Sequence, residues 1–169
     1  MNNSRSALTI REETTVDIPA IRKVVTAAFA QVGESELVDA LRDSGDSVLS
    51  LVAENGGELH GHILFSKLQA PENCLGLAPV SVIPDSQKTG IGSKLIVEGL
   101  ELVRRSGWKA VFVLGEPEYY QRFGFSVTAA DKFETTYPKV YTMALELAPN
   151  ALDERSGEII YAQPFLALE

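Results

Sequence analysis

At 169 residues the chain has the length of one ordinary domain, and 45% hydrophobic with 22% charged residues is a globular rather than a disordered composition. A net charge of −8 argues against a nucleic-acid surface and mildly favours approach of a cationic amine, while one cysteine leaves no internal disulfide to form. No apolar run is long enough to span a bilayer, and Met1 to Arg5 is polar rather than the basic start of a hydrophobic leader. The expectation is therefore one cytoplasmic domain over 1–169 with no membrane partner, residues 1–6 forming a frayed tail.

Leu8 to Glu12 alternates as a strand, after which Asp17 sits where an N-cap belongs, with Pro19 just inside the helix. Ile21, Val24, Val25, Ala28 and Phe29 form one apolar stripe, and a second helix is predicted from about Glu34 to Arg42, ended by Gly45. Ser47 to Glu54 and Leu59 to Leu68 read as an antiparallel hairpin, because Asn55-Gly56-Gly57 is a turn suited to positive φ. Asn73 to Ile83 adds a third strand, in which Gly76 and Pro79 predict an irregularity.

Pro79 to Leu95 then changes character. Val80 to Ile83 is short and β-branched, whereas Ile91, Leu95, Ile96, Leu102 and Val103 recur at helical spacing up to a stop at Ser106-Gly107. A strand that turns through Gly90 and Gly92 into a helix start leaves backbone N–H groups aimed at one spot, where the helix dipole also favours an anion. A phosphate is the natural occupant. A dinucleotide fingerprint would need a third glycine where Leu95 stands, and a P-loop would need Gly-Lys-Ser/Thr where the chain has Gly92-Ser93-Lys94. Lys109 to Leu114 follows as an apolar strand completing a right-handed crossover. Pro117 opens a two-turn helix that Gly124 ends, Phe125 opens another strand, and Val140 to Leu147 and Glu158 to Ala162 are the last strand candidates. A final strand with an open edge could pair with a second subunit as a homodimer.

Gln87-x-x-Gly90-x-Gly92 after Val80-x-Val82-x-Pro84 resembles the GNAT superfamily of acyl-coenzyme A N-acyltransferases, and Tyr120-Gln121-Arg122-Phe123-Gly124-Phe125 is similar to the Tyr-x-x-x-Gly-Phe segment of that fold. Phe29, Leu37-Val38, Ser50 to Glu54, Gly61-His62-Ile63, Gly76 to Pro79, Val113-Leu114-Gly115 and Tyr119-Tyr120 extend the likeness to its YhbS-like bacterial branch. The resemblance implies an α/β (α+β) domain with a mixed, mostly antiparallel sheet, a splayed central parallel pair and helices on both faces. It also implies acetyl-coenzyme A in the cleft and direct transfer of the acetyl group to a primary amine. The acceptor would lie beside the first two helices, with specificity set by Phe29 to Glu36 and Thr128 to Lys139.

Such chemistry needs a grip on the cofactor, a neutral amine, a polarised thioester and a proton for the leaving thiolate. The loop Lys88, Thr89, Gly90, Ile91, Gly92 and Ser93 would supply backbone donors to the pyrophosphate, with Gln87 bracing it or reaching a phosphate and Lys88 acting as a point charge. Backbone groups of Val80 and Val82 would meet the pantetheine arm. The resemblance selects Tyr120 as general acid, a phenol with pKa of about 10 near a thiol of about 8.5. Tyr119 is expected to point about 100° away. Glu34, Glu54 and Glu116 are base candidates, with a water chain as the alternative. His60 and His62 share a strand face without a cluster to complete a metal site, so no metal is expected. Arg122 would pair with a phosphate or with a neighbouring carboxylate, and Trp108 would anchor packing. The rivals are a non-catalytic acyl-coenzyme A sensor and a nucleotide-binding module.

Overall fold

A β-meander, a crossover helix and a splayed strand pair build the molecule. The structure, a computed structural model, describes residues 8–168, so the expected frayed tail lies outside the described residues. Strand β1 (Thr9–Glu12) leads to helices α1 (Ile18–Phe29) and α2 (Gly33–Ser44), then strands β2 (Ser47–Asn55), β3 (Glu58–Lys67) and β4 (Cys74–Val82). Helix α3 (Ile91–Arg105), β5 (Ala110–Leu114), the single turn α4 (Pro117–Tyr120), β6 (Phe133–Glu134), β7 (Thr142–Glu146) and β8 (Gly157–Glu158) follow. The main sheet has six strands in the order β1-β2-β3-β4-β5-β7, with β4 and β5 parallel and every other neighbouring pair antiparallel.

The two faces bury different clusters. Leu49, Leu51 and Ala53 of β2 and Ile63 and Phe65 of β3 pack with Ile91, Leu95, Ile96, Leu100 and Val103 of α3. At about 1.5–3 kcal/mol for each large side chain, the five α3 residues contribute on the order of 10 kcal/mol before ordering costs. Gly99 lets α3 press onto the sheet, since a Cβ there would lie 2.4 Å from Phe65 Cε2. On the other face Val52 and Leu64 meet Ile21 and Val25 of α1 and Leu37, Val38 and Leu41 of α2. The predicted hairpin turn is two residues, Gly56 and Gly57 at φ +64° and +84°, the conformation that matches the twist of its strands.

Several expectations change. The irregularity in β4 is not at Gly76, which pairs regularly with Ser66 and Phe112; it falls at Ala78-Pro79, where Phe65↔Leu77 gives way to Ile63↔Val80. Proline has no N–H for the ladder, so the extra residue sits where that loss is harmless. Asp17 precedes α1 as predicted but does not cap it with its side chain. Its carboxylate instead accepts from Arg11 at 2.8 and 3.0 Å and from the Thr14 N–H at 2.7 Å. Phe125 opens no strand; Ser126 makes an isolated bridge to Ala144 and Thr128–Ala130 form a 3-10 turn. The strand predicted from Val140 starts at Thr142, because Lys139–Tyr141 wind into a 3-10 turn after Pro138. Glu158 to Ala162 does not join the main sheet. Gly157–Glu158 pair with Phe133–Glu134 in a two-stranded ribbon and Ile160 bridges to Ala70.

Candidate active site

The parallel pairing of β4 and β5 covers Cys74↔Ala110, Leu75↔Val111 and Gly76↔Phe112, and then stops although β4 continues to Val82 and β5 to Leu114. The bulge at Ala78-Pro79 bends β4 away just past the last rung, and a slot opens between the strands. Below it lies a cavity of about 540 Å³ lined by Val80, Val82, Gln87, Lys88, Gly90, Ile91, Gly92 and Ser93 from the strand and its loop. Ser86, Tyr119, Tyr120 and Arg122 complete the lining. The phosphate-loop residues expected from the sequence are thus brought together, apart from Thr89, whose hydroxyl donates to Ser86 O within the turn.

Local chemistry sets the loop. Lys88 and Gly90 adopt φ of +65° and +93°, so the chain reverses before the helix begins. The first helical bond runs from Lys94 N–H to Gly90 O, leaving the N–H groups of Ile91, Gly92 and Ser93 outside the ladder. Gln87 Nε2 donates to Val82 O at 3.0 Å and ties the loop to the end of β4. Ser86 Oγ and His60 Nδ1, 2.8 Å apart, tie it to β3. That brace was not legible in the sequence, because it joins residues 26 apart that share no motif. A side chain on Gly90 would meet open space, whereas a Cβ on Gly92 would stand 3.2 Å from Tyr119 Oη.

Tyr119 and Tyr120 do not diverge as expected. Their rings meet edge to face with centroids 5.0 Å apart and both line the cavity, since two long side chains on one helical turn reach the same cleft from different Cα positions. Tyr120 also packs against Phe125, and its ring fills the space beside Gly115, where a Cβ would come within 2.6 Å of Cε2. Burial, followed by the neighbouring Tyr119, pushes the Tyr120 hydroxyl up to about 12, so it is farther from a thiol than the sequence estimate. Arg122 pairs with no carboxylate among the described residues. Its guanidinium lies 4.5 Å from the Tyr119 ring centre and 3.4 Å from Ser93 Oγ, which holds a fixed cation over the helix start. Spacing gives a signal for this: Arg122 follows Tyr119 by three residues on one helical face.

None of the three carboxylates offered as bases lines this cavity. Glu54 is held by Arg11 at 2.8 Å, Glu34 accepts from Gln31 at 3.0 Å, and Glu116 is exposed at the start of α4. Two histidines serve separate purposes: His60 braces the loop, while His62 is fully buried beside Ser50. Among the described residues no group of three or more His, Cys, Asp or Glu gathers as a metal site, and no helix is long and apolar enough to cross a membrane. Trp108 packs at the edge of the α3-side core.

The model of the acetyltransferase (GNAT) family matches residues 18–125. The uncharacterized N-acetyltransferase YhbS of Escherichia coli K12 is 32% identical over 162 residues, covering 92% of this chain and 97% of its own length. YjhQ of the same strain, also an uncharacterized N-acetyltransferase, is 40% identical over 131 residues and 72% of each chain. The crystal structure of Escherichia coli YhbS in complex with CoA superposes with a TM-score of 0.91 at 30% identity, covering 98% of this chain and 96% of that one. A GNAT acetyltransferase from Brucella melitensis in complex with acetyl-CoA gives a TM-score of 0.81 at 38% identity, covering 95% and 99%. With the family model spanning more than half of the sequence and a splayed strand pair above a glycine-turned helix start, the chain belongs to the GNAT family of acetyltransferases.

Proposed function

We propose that this chain, as a single cytoplasmic domain, transfers an acetyl group from acetyl-coenzyme A to a primary amine by direct attack, without a covalent enzyme intermediate. One observation carries the reading: a slot between parallel strands opens onto unpaired N–H groups at the start of α3, flanked by Lys88 and Arg122. The donor set fits a diphosphate. Open space at Gly90 admits it, and each charge-assisted bond contributes on the order of 1.5–3 kcal/mol before ordering costs. The relatives solved with CoA and acetyl-CoA support the same ligand.

Bound acetyl-coenzyme A supplies an activated acyl carbon on a thiol leaving group. The chain's own residues do the remainder. Backbone groups of Val80 and Val82, left without a partner on β5, pair with the pantetheine amides, and a free N–H there polarises the thioester oxygen. The amine lone pair forms the C–N bond as the C–S bond breaks. Tyr120 Oη–H gives its proton to the sulfur, and the proton leaving the amine passes to water, which returns one to the phenolate. With its pKa lifted to about 12, Tyr120 stays protonated through the working range, so its ionisation produces no falling limb between pH 7 and 10.

The test is thiol release from acetyl-coenzyme A with a panel of amines. Tyr120→Phe should lower kcat roughly 100-fold while leaving the KM for acetyl-coenzyme A within a few-fold, general acid catalysis being worth about that much. An unchanged kcat removes Tyr120 from the role. Binding without turnover on any amine makes the chain a sensor of acyl-coenzyme A.

A further inference from the structure

Ser86 enters the cavity lining from the 3-10 turn Pro84–Ser86, ahead of the two left-handed residues Lys88 and Gly90, whereas the N–H groups of Ile91, Gly92 and Ser93 come after them. Both arms of the reversal therefore face one space. Thr89 Oγ1–H donates to Ser86 O across the turn and holds the arms together. The Ser86 N–H is also committed, since it donates to Ile83 O at 2.9 Å. Of the polar groups of Ser86, the hydroxyl is the one left to act in the cavity.

Behind that hydroxyl stands His60, whose Nδ1 lies 2.8 Å from Ser86 Oγ. Ile83 links the two through the backbone, because its N–H donates to His60 O at 2.9 Å while its carbonyl takes the Ser86 N–H. The turn is thus already held to β3, and what the side-chain pair adds is the direction of one hydrogen. The pair can form in two ways. With hydrogen on Nε2 alone, Ser86 Oγ–H donates to Nδ1 and only lone pairs remain for the cavity. With hydrogen on Nδ1, the ring donates to Oγ, and the hydroxyl hydrogen is released toward the cavity. An ionised diphosphate offers acceptors alone, so it is repelled by the first arrangement and bonded by the second.

We propose that the Ser86 hydroxyl donates to the diphosphate of bound coenzyme A, with His60 as the positioning residue whose Nδ1–H turns that hydroxyl toward the ligand. The inference rests on the acyl-transfer reading above and adds a side-chain donor to its grip on the cofactor. The backbone donors of Ile91, Gly92 and Ser93 then meet the diphosphate from the helix arm and Ser86 from the strand arm. His60 itself does not line the cavity, so its influence passes through Ser86.

The test reads first the hydrogen and then the affinity, on the full chain. His60 and His62 are the two histidines of the sequence, so nitrogen-15 NMR of the imidazoles is assigned by the signals lost in His60→Phe. In the complex of the parent protein with coenzyme A, the proposal expects a proton on His60 Nδ1. A bare Nδ1, with hydrogen on Nε2 alone, overturns it, and a mere brace between the two side chains would not require the first result. In calorimetric titrations Ser86→Ala should bind coenzyme A about 10-fold more weakly, as for one hydrogen bond to a charged group, and Ser86→Thr should stay within about 2-fold of the parent. Adding His60→Phe to Ser86→Ala should cost nothing further, because His60 acts through the hydroxyl. Parent-like affinity in Ser86→Ala, or a further loss in the double variant, overturns the proposal and leaves the acyl-transfer reading in place. A parent protein that binds no coenzyme A removes that reading and the proposal together.

Discussion

His62 shows how one residue can fix a pH limit. Arg42 grips Glu13 through two bonds of 2.8 and 2.9 Å and holds its carboxyl below the usual range, so Glu13 accepts from the Ser50 hydroxyl. Ser50 Oγ then takes its own bond from His62 Nε2–H at 2.8 Å, which leaves Nδ1 unprotonated, buried and without a partner among the described residues. Burial first, with the charge of Arg42 adding to it against that of Glu13, lowers His62 from 6.5 to about 4. Protonation therefore favours the unfolded chain, in which the ring titrates near 6.5; the contribution is complete above that pH and fades as pH falls toward 4. At pH 5 the loss is on the order of 2 kcal/mol. Unfolding free energies from urea titrations at pH 7 and pH 5 should differ by that much in the parent and by much less in His62→Asn, and an equal drop in both would assign the acid sensitivity elsewhere. Asp17 acts lower on the scale. Arg11 holds it at about 2, so its contribution is intact above about 4 and goes only as pH falls through 2.

At the scale of elements, α3 is set by close approach to the sheet and by the turn before it. Gly99→Ala places a methyl 2.4 Å from the Phe65 ring, so α3 must lift or Phe65 must leave its rotamer, at a cost of about 1–3 kcal/mol. Thermal unfolding should record the loss, and an unshifted midpoint would mean that helix and sheet are not locked there. The loop, hairpin and helix were legible in the sequence because their signals are local: Gly56 and Gly57 demand positive φ, and the α3 stripe repeats at helical spacing. The β4 irregularity was legible, but not which of its two signals carries it. Gly76 and Pro79 both mark irregularity, and only the register against β3 tells that Gly76 stays paired while Pro79 carries the extra residue. Asp17 looked like a cap because its competitor, Arg11, arrives from β1, and the contact between Tyr119 and Tyr120 escaped because helical angle says nothing about side-chain reach.

Over the whole molecule, a net charge of −8 coexists with a cleft that offers Lys88, Arg122 and a helix start to an anion. On the proposed reading the acidic remainder would steer a cationic acceptor while the cleft would hold phosphate, so salt should weaken both ligands. The family match and the splay fix which reaction class this architecture serves. The central claim is that the α3 loop is a pyrophosphate site, and calorimetric titration with acetyl-coenzyme A, coenzyme A, ATP and NAD, repeated on Gly90→Asp, tests it most directly. The account predicts selective binding of the two coenzyme A ligands, abolished by a carboxylate that sits among the donors and strains a residue at φ +93°. No binding of either coenzyme A ligand, or equal binding to Gly90→Asp, would contradict it.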